Sequence, residues 1–314
     1  MTVIVRSFAK INLGLCIGPR RDDAFHELLT VYQTIGLHDV IRINASHGSG
    51  IEIRCADPRV PKDESNTCYR IVENALDQLK VKSRVVIDID KRLPVQGGLG
   101  GASSNAVATL LGIEKALKKS LPAEERLRFA AQVGSDLPLF LVGGTVLGVG
   151  RGEKVYPVED LPAMPCVIVT PEIGVSTPKA FAEWDRKLTL SAPSDRIDEL
   201  GRRLSAWLSK SYSGAPFRRG RHENPLLGLV RAGIKNDFER VVFPEYPELS
   251  EAKRALERAG AKYASLSGSG SALYGLFGSK DDSRAAAEKL RKQGWAAQAT
   301  VTLARREYWR QVFD

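Results

Sequence analysis

The sequence is poor in cysteine, with four in 314 residues: Cys16, Cys55, Cys68 and Cys166. No CxxC pair occurs and no Cys/His cluster has zinc-site spacing. A disulfide framework and a zinc module are therefore excluded, and reduced, mostly buried thiols are expected. Long apolar runs are also missing. The longest, Leu137 to Gly150, is shorter than a membrane span and is broken by four glycines. Met1–Arg6 holds too few apolar residues for a signal peptide. A soluble, cytoplasmic protein with no membrane partner is expected. No internal repeat or low-complexity tract stands out. The composition, 43% hydrophobic and 26% charged, lacks the bias of collagen-like, coiled-coil or wholly disordered chains.

The length suits two domains. Lys and Arg number 46 against 37 Asp and Glu, a net charge of +9. That balance suits a polyanionic partner, nucleic acid or polyphosphate, and equally a solvated basic surface. Six of the basic residues lie between Gly201 and His222, which holds no acidic residue. This segment reads as a basic insertion or as an arm that touches phosphate.

Strand and helix signals alternate along the first half. Val3–Val5, Ile41–Ile43, Ile51–Ile53 and Val85–Ile89 read as strands. Asn66 caps a helix reaching about Lys80, with Ile71, Ala75 and Leu79 on one face. Ala102, Ala106, Leu110, Ile113 and Leu117 form a second helical stripe. Prolines 162 and 165 flank a break, so domains over 1–160 and 161–314 are expected. The second holds a strand at Cys166–Thr170, a helix at Leu249–Ala259 and strands at Lys262–Leu266 and Leu273–Phe277. A helix at Asp282–Lys292 and a strand at Ala296–Val301 follow. The order β-α-β-β-α-β is a ferredoxin-like layout with inserted helices.

Gly97-Gly98-Leu99-Gly100-Gly101-Ala102-Ser103-Ser104-Asn105 is the strongest chemical signal. Four glycines in five positions let backbone N–H groups converge on a ligand. The loop opens a helix, whose N-terminus favours an anion. Ser103, Ser104 and Asn105 add polar groups at that mouth. A bound phosphate chain is expected. The spacing fits neither the Walker loop nor the dinucleotide fingerprint.

Lys10 and Asn12 share one face of an extended segment. Asp136 precedes an apolar run, so it either caps a helix or pairs with a cation such as Lys10 beside a reacting hydroxyl. Ser267–Ala272 reads as a hairpin turn or as a small-residue lip beside a phosphate site.

Together these motifs resemble the GHMP kinase superfamily. Pro94–Ala106 is similar to its phosphate loop, Lys10 and Ser267–Ala272 to its first and third motifs. Within it, the chain resembles the 4-diphosphocytidyl-2-C-methyl-D-erythritol kinase family, apart from about Asp185 to Glu223. The similar stretches are Ser7–Leu13, Arg20–Leu28, Asp88–Pro94, Gly134–Pro138, Thr177-Pro178 and Asn236–Glu239. The resemblance implies an α+β fold. A ribosomal-protein-S5-domain-2-like N-terminal domain would bind ATP, with a ferredoxin-like C-terminal domain and a basic insertion near 186–223. It also implies an ATP- and Mg²⁺-dependent kinase acting on the 2-hydroxyl of its cytidyl diphosphate substrate in non-mevalonate isoprenoid synthesis.

By the same resemblance, Asp136 is the base and Lys10 its partner. Pro94, Gly97, Gly98, Leu99, Gly100, Gly101, Ala102, Ser103 and Ser104 hold the ATP phosphates, with Asn66 and Lys91 near the adenosine. Asn12, Thr177, Gly268 and Ser269 face the substrate. His26 reads cytosine, and Phe25 and Phe181 flank it. Metal ligands are not legible beyond Ser103 as a candidate. Ala24-Phe25-His26 replaces the family's usual Gly-Tyr-His, which keeps a stacking face and loses a hydroxyl. A monomer or homodimer with no nucleic-acid partner is expected. Two alternatives stay open, a mevalonate- or homoserine-type kinase and a nucleic-acid-binding protein on the same fold.

Overall fold

A computed structural model describes residues 2–187 and 235–313, with positions 197–199, 201, 202, 205, 206 and 228 between them. Most of the basic segment at 201–222 lies outside the described residues.

The first two strands are much longer than the sequence suggests. β1 runs Thr2–Arg20 and β2 runs His26–Ser46, paired antiparallel along their length. Alternation fails as a guide because β1 is buried almost continuously from Ser7 to Ile17. It serves three apolar clusters in turn: Val3, Val5 and Phe8, then Ala9, Ile11 and Leu13, then Leu15 and Ile17. Register shifts at Phe8/Ala9 and Asn12/Gly14 re-aim the side chains between clusters, and a third falls at Ile17/Arg20, past the last of them.

On its other side, β2 pairs with β4 (Arg84–Asp90) through residues 40–46 and with β5 (Thr145–Gly150) through residues 28–33. β3 (Ile51–Cys55) and β6 (Lys154–Pro157) continue the sheet beyond β4 and β5. The first cluster lies between this sheet and four helices: α1 (Thr67–Gln78), α2 (Gly101–Leu117), α3 (Ala123–Val133) and α4 (Leu137–Val142). Asn66 caps α1 as expected, its side chain accepting from the Cys68 N–H. α2 is buried from Ser104 to Glu114.

The second sheet holds β7 (Pro165–Val169), β8 (Tyr263–Leu266), β9 (Leu273–Leu276) and β10 (Ala297–Val301). Its order is β10-β7-β9-β8, antiparallel throughout. That is the order a β-α-β-β-α-β chain adopts. Between β7 and β8 lie α5 (Thr177–Lys187), α6 (Glu239–Glu245) and α7 (Pro247–Arg258). α8 (Lys280–Lys292) joins β9 to β10. The last helix, α9 (Arg305–Val312), packs on the first cluster through Tyr308 and Val312. The Tyr308 hydroxyl donates to the Phe140 carbonyl, and Val5 bridges to Phe313. Among the described residues, no helix is long and apolar enough to cross a membrane.

Candidate active site

A cavity of about 910 Å³ opens between the two sheets. Lys10, Tyr32, the glycine loop and Asp136 line it from one side, Thr177, Phe181, Gly268 and Ser269 from the other. The volume is at the upper end for a single small-molecule site, which suits two substituted ligands meeting end to end.

The glycine loop joins β4 to α2. Gly98 and Gly100 sit at φ of +79° and +70°, where a β-carbon is strained. Main-chain bonds fix the loop on two sides. The Lys10 N–H donates to the Leu99 carbonyl at 3.0 Å, and the Ala272 N–H to the Gly97 carbonyl at 2.9 Å. The Ser267 hydroxyl donates to the Gly98 carbonyl at 3.0 Å. Ser267–Ala272 is the hairpin turn that the sequence allowed. It is the β8–β9 connection, and it rests against the glycine loop.

Lys10 is almost fully buried and must therefore be compensated. Its Nζ lies 3.2 Å from Asp136 Oδ2, and it donates to Asn12 Oδ1 at 2.7 Å. It also stands 5.5 Å from the centroid of the Tyr32 ring. Asp136 occupies the N-cap position of α4, but its carboxylate makes no cap bond. Its other oxygen accepts from the Tyr32 hydroxyl at 3.1 Å. Burial, followed by the neighbouring carboxylate of Asp136, pushes the Tyr32 phenol well above its usual pKa. Tyr32 therefore stays a hydrogen-bond donor. About a third of the Asp136 side chain is exposed toward the cavity.

Asn66 and Lys91, the residues expected near the adenosine, are anchored within the protein. The Asn66 amide donates to the Pro61 carbonyl at 2.6 Å. Lys91 Nζ meets Asp39 Oδ2 at 2.6 Å in a buried ion pair. The other Asp39 oxygen accepts from the Arg92 and Leu93 N–H groups, which fixes the start of the loop segment. Ser103 and Pro94 line the cavity. Ser104 corrects the expectation of a hydroxyl at the loop mouth. It is buried, with its Oγ 2.7 Å from the Ser7 Oγ. The single Ser7 hydroxyl proton goes to Asn105 Oδ1, at 2.6 Å.

At the far end, Phe25 is half exposed, and His26 stacks on Phe181 with centroids 5.2 Å apart and planes 6° apart. Phe238 meets Phe181 edge-on at 5.0 Å. The His26 ring nitrogens face the Gly18 carbonyl at 3.1 Å and Asp185 Oδ1 at 3.0 Å. Thr177 Oγ1 and Ser269 Oγ lie 2.6 Å apart. Gly268, at φ +61°, brings its backbone to Lys10 and Asn12. A β-carbon there would lie 3.4 Å from each polar atom.

Sequence reasoning missed Tyr32, Asp39 and Asn236. Asn236 donates to the Leu266 and Gly268 carbonyls and so holds the third motif. Asn236 was visible only as part of a family-like stretch without an assigned role. Tyr32 could be found only from strand register, because it is the cross-strand partner of Asn12.

Residues 66–144 match the GHMP kinases N terminal domain, and residues 218–295 match the GHMP kinases C terminal family. The 4-diphosphocytidyl-2-C-methyl-D-erythritol kinase of Solibacter usitatus is 37% identical over 87% of this chain and 80% of its own length. That of Geobacter sulfurreducens is 34% identical over 94% of this chain and 97% of its own. A crystal structure of 4-(cytidine 5'-diphospho)-2C-methyl-D-erythritol kinase aligns with TM-score 0.73 at 28% identity, covering 95% of this chain and 98% of that one. Homoserine kinase from Cytophaga hutchinsonii aligns with TM-score 0.75 at 19% identity, over 98% of this chain and 96% of that one, a likeness of fold alone. By sequence over most of its length, the chain belongs to the 4-diphosphocytidyl-2-C-methyl-D-erythritol kinase family of GHMP kinases.

Proposed function

We propose that the chain transfers the γ-phosphoryl group of ATP to the 2-hydroxyl of 4-diphosphocytidyl-2-C-methyl-D-erythritol. One observation carries this reading. A single cavity holds a buried Lys10 paired with a partly exposed Asp136 beside a glycine loop at one end, and an aromatic cluster around His26 at the other. Phosphoryl transfer needs positioning and charge compensation more than covalent help, and this cavity is built for both.

The loop N–H groups and the N-terminus of α2 receive the phosphate chain. Asp136 takes the proton from the attacking hydroxyl. Tyr32 and Lys10 hold its two oxygens in place, one each. The Lys10 ammonium also offsets charge as the phosphoryl group moves, and Asn12 aims that ammonium. Phe25 and Phe181 flank the pyrimidine, with His26 beside them.

No group of three His, Cys, Asp or Glu able to hold a metal occurs among the described residues. That fits Mg²⁺, which binds through one or two protein oxygens and substrate phosphates rather than a protein cage. Ser103, on the cavity wall, would supply such an oxygen. When bound, the ion neutralises phosphate charge.

The homoserine kinase fold is as close overall, so fold does not choose the substrate. The aromatic end does, because homoserine and mevalonate carry no ring to stack. The test is ADP release with the cytidyl diphosphate, mevalonate and homoserine in parallel. Turnover of the cytidyl diphosphate alone is expected. Turnover of mevalonate or homoserine without it overturns the assignment.

A further inference from the structure

Phe25 lies in the β1–β2 turn, which its own residues fix tightly. The Arg21 N–H donates to the Phe25 carbonyl at 2.7 Å, and Asp23 Oδ1 accepts from the Phe25 N–H at 3.2 Å. Glu27 then ties this turn to the β5–β6 turn. One of its oxygens pairs with Arg21 at 2.6 Å, and the other accepts from the Gly150 N–H at 3.0 Å. The next residue is Arg151, whose guanidinium carbon stands 4.8 Å from the Phe25 ring centroid. Gly152 follows, and a β-carbon there would strike the Tyr32 hydroxyl at 2.3 Å. The β5–β6 turn therefore touches both the aromatic end and Tyr32, the donor to Asp136.

The Phe25 backbone is thus held, but its ring is half exposed and has no hydroxyl to anchor it. A phenylalanine in that state can turn away from the cavity. A guanidinium over the ring opposes this by cation–π attraction, strengthened when a ligand removes water. We infer that Arg151 is a positioning residue that holds the Phe25 ring for stacking on the pyrimidine. The inference rests on the substrate reading above.

The test is a double-mutant cycle of Arg151→Met and Phe25→Leu, with Arg151→Lys as the conservative variant. The readouts are KM for the cytidyl diphosphate, KM for ATP, kcat, and the Kd of free CDP by calorimetry. Arg151→Met should raise the cytidyl KM and the CDP Kd by about threefold to tenfold, with kcat and the ATP KM within about twofold of wild type. Arg151→Lys should recover most of the loss. In a Phe25→Leu background, Arg151→Met should add less than about twofold. An equal effect with and without Phe25 would mean that Arg151 acts on the ligand charge directly, and would overturn the inference. So would an unchanged cytidyl KM. Failure of wild type to turn over the cytidyl diphosphate would sink the substrate assignment instead. The CDP affinities of the same four proteins would then decide the Arg151–Phe25 coupling.

Discussion

Gly98 is the most informative single position in the glycine loop. From sequence, a larger residue there would fill space that phosphates need. The structure gives a different reason. A β-carbon on Gly98 points to the third motif, reaching 2.1 Å from the Ser267 carbonyl oxygen and 3.1 Å from Gly270 N and Cα. Those are backbone atoms, so no side-chain rotation relieves the clash. The two loops would have to separate by about 1 Å to reach ordinary contact. Separation breaks the Ser267–Gly98 and Ala272–Gly97 bonds, at about 1 kcal/mol each. The left-handed backbone, φ +79°, adds about 1–2 kcal/mol for any residue with a β-carbon. Gly98→Ala should therefore destabilise the protein by about 3 kcal/mol, lowering Tm by roughly 6–12 °C. ATP affinity should fall with it, since the loop amides lose their alignment. Gly100→Ala is the internal comparison. Its β-carbon would meet the Phe140 ring at 2.9 Å and the Lys10 stem at 3.0 Å, both side chains. That variant should melt closer to wild type and lose kcat through displacement of Lys10. Thermal melting, ATP calorimetry and steady-state kinetics on both variants separate the cases. A Gly98→Ala protein with wild-type Tm and wild-type ATP affinity would refute the reasoning.

Three further outcomes are expected. Asp136→Asn should lower kcat by about a hundredfold to ten-thousandfold while ATP still binds, and near-normal turnover would remove Asp136 as the base. Tyr32→Phe deletes the donor to Asp136 and should cost about tenfold in kcat with little change in the ATP KM; equal kcat values would show that the hydroxyl does not orient the carboxylate. Burial raises the phenol pKa of Tyr32, Tyr263, Tyr274 and Tyr308. Such groups stay protonated when folded but ionise near pH 10 when unfolded, so unfolding releases protons and stability falls as pH rises from about 10. The slope is up to about 1.4 kcal/mol per pH unit for each tyrosine. Denaturant melts across that range, with tyrosinate absorbance, should show these four ionising only with unfolding. Their titration in the folded protein at pH 10 would contradict the burial.

What could be read from sequence was whatever a residue type declares locally. The glycine loop is legible because its composition is its chemistry. The second sheet is legible because its strands and helices are short, separate and well punctuated. β1 and β2 were not, because both faces are covered and three register shifts interrupt the alternation that marks a strand. The apolar run Leu137–Gly150 hid a six-residue helix and a strand, joined at Gly143 and Gly144, both at positive φ. Lys10 and Asp136 were readable as a pair only as one of two alternatives, which the resemblance decided, since neither announces a partner 126 positions away. Tyr32 and Asp39 were opaque for a stronger reason. Each is an ordinary residue whose role comes from what register and loop closure bring beside it.

The freedom of the Asp136 carboxylate also has a local cause. A capping aspartate ordinarily accepts from the N–H groups two or three residues on. Two residues after Asp136 stands Pro138, which has no N–H to give. One of the two competing donors is thus deleted by the sequence itself. α4 is also only six residues long, so little helix depends on that cap. With the local bond weakened, Lys10 and Tyr32, both from the long β1–β2 pair, become the better partners. The same β1 carries the Lys10 N–H that holds the Leu99 carbonyl of the glycine loop. A shift of β1 at Lys10 would therefore move the phosphate loop and the partner of the base together. Under the proposed function, one residue of β1 would thus tie the base to the phosphate site and keep the attacking oxygen and the transferring phosphorus in register, although Asp136 and the glycine loop come from distant parts of the chain.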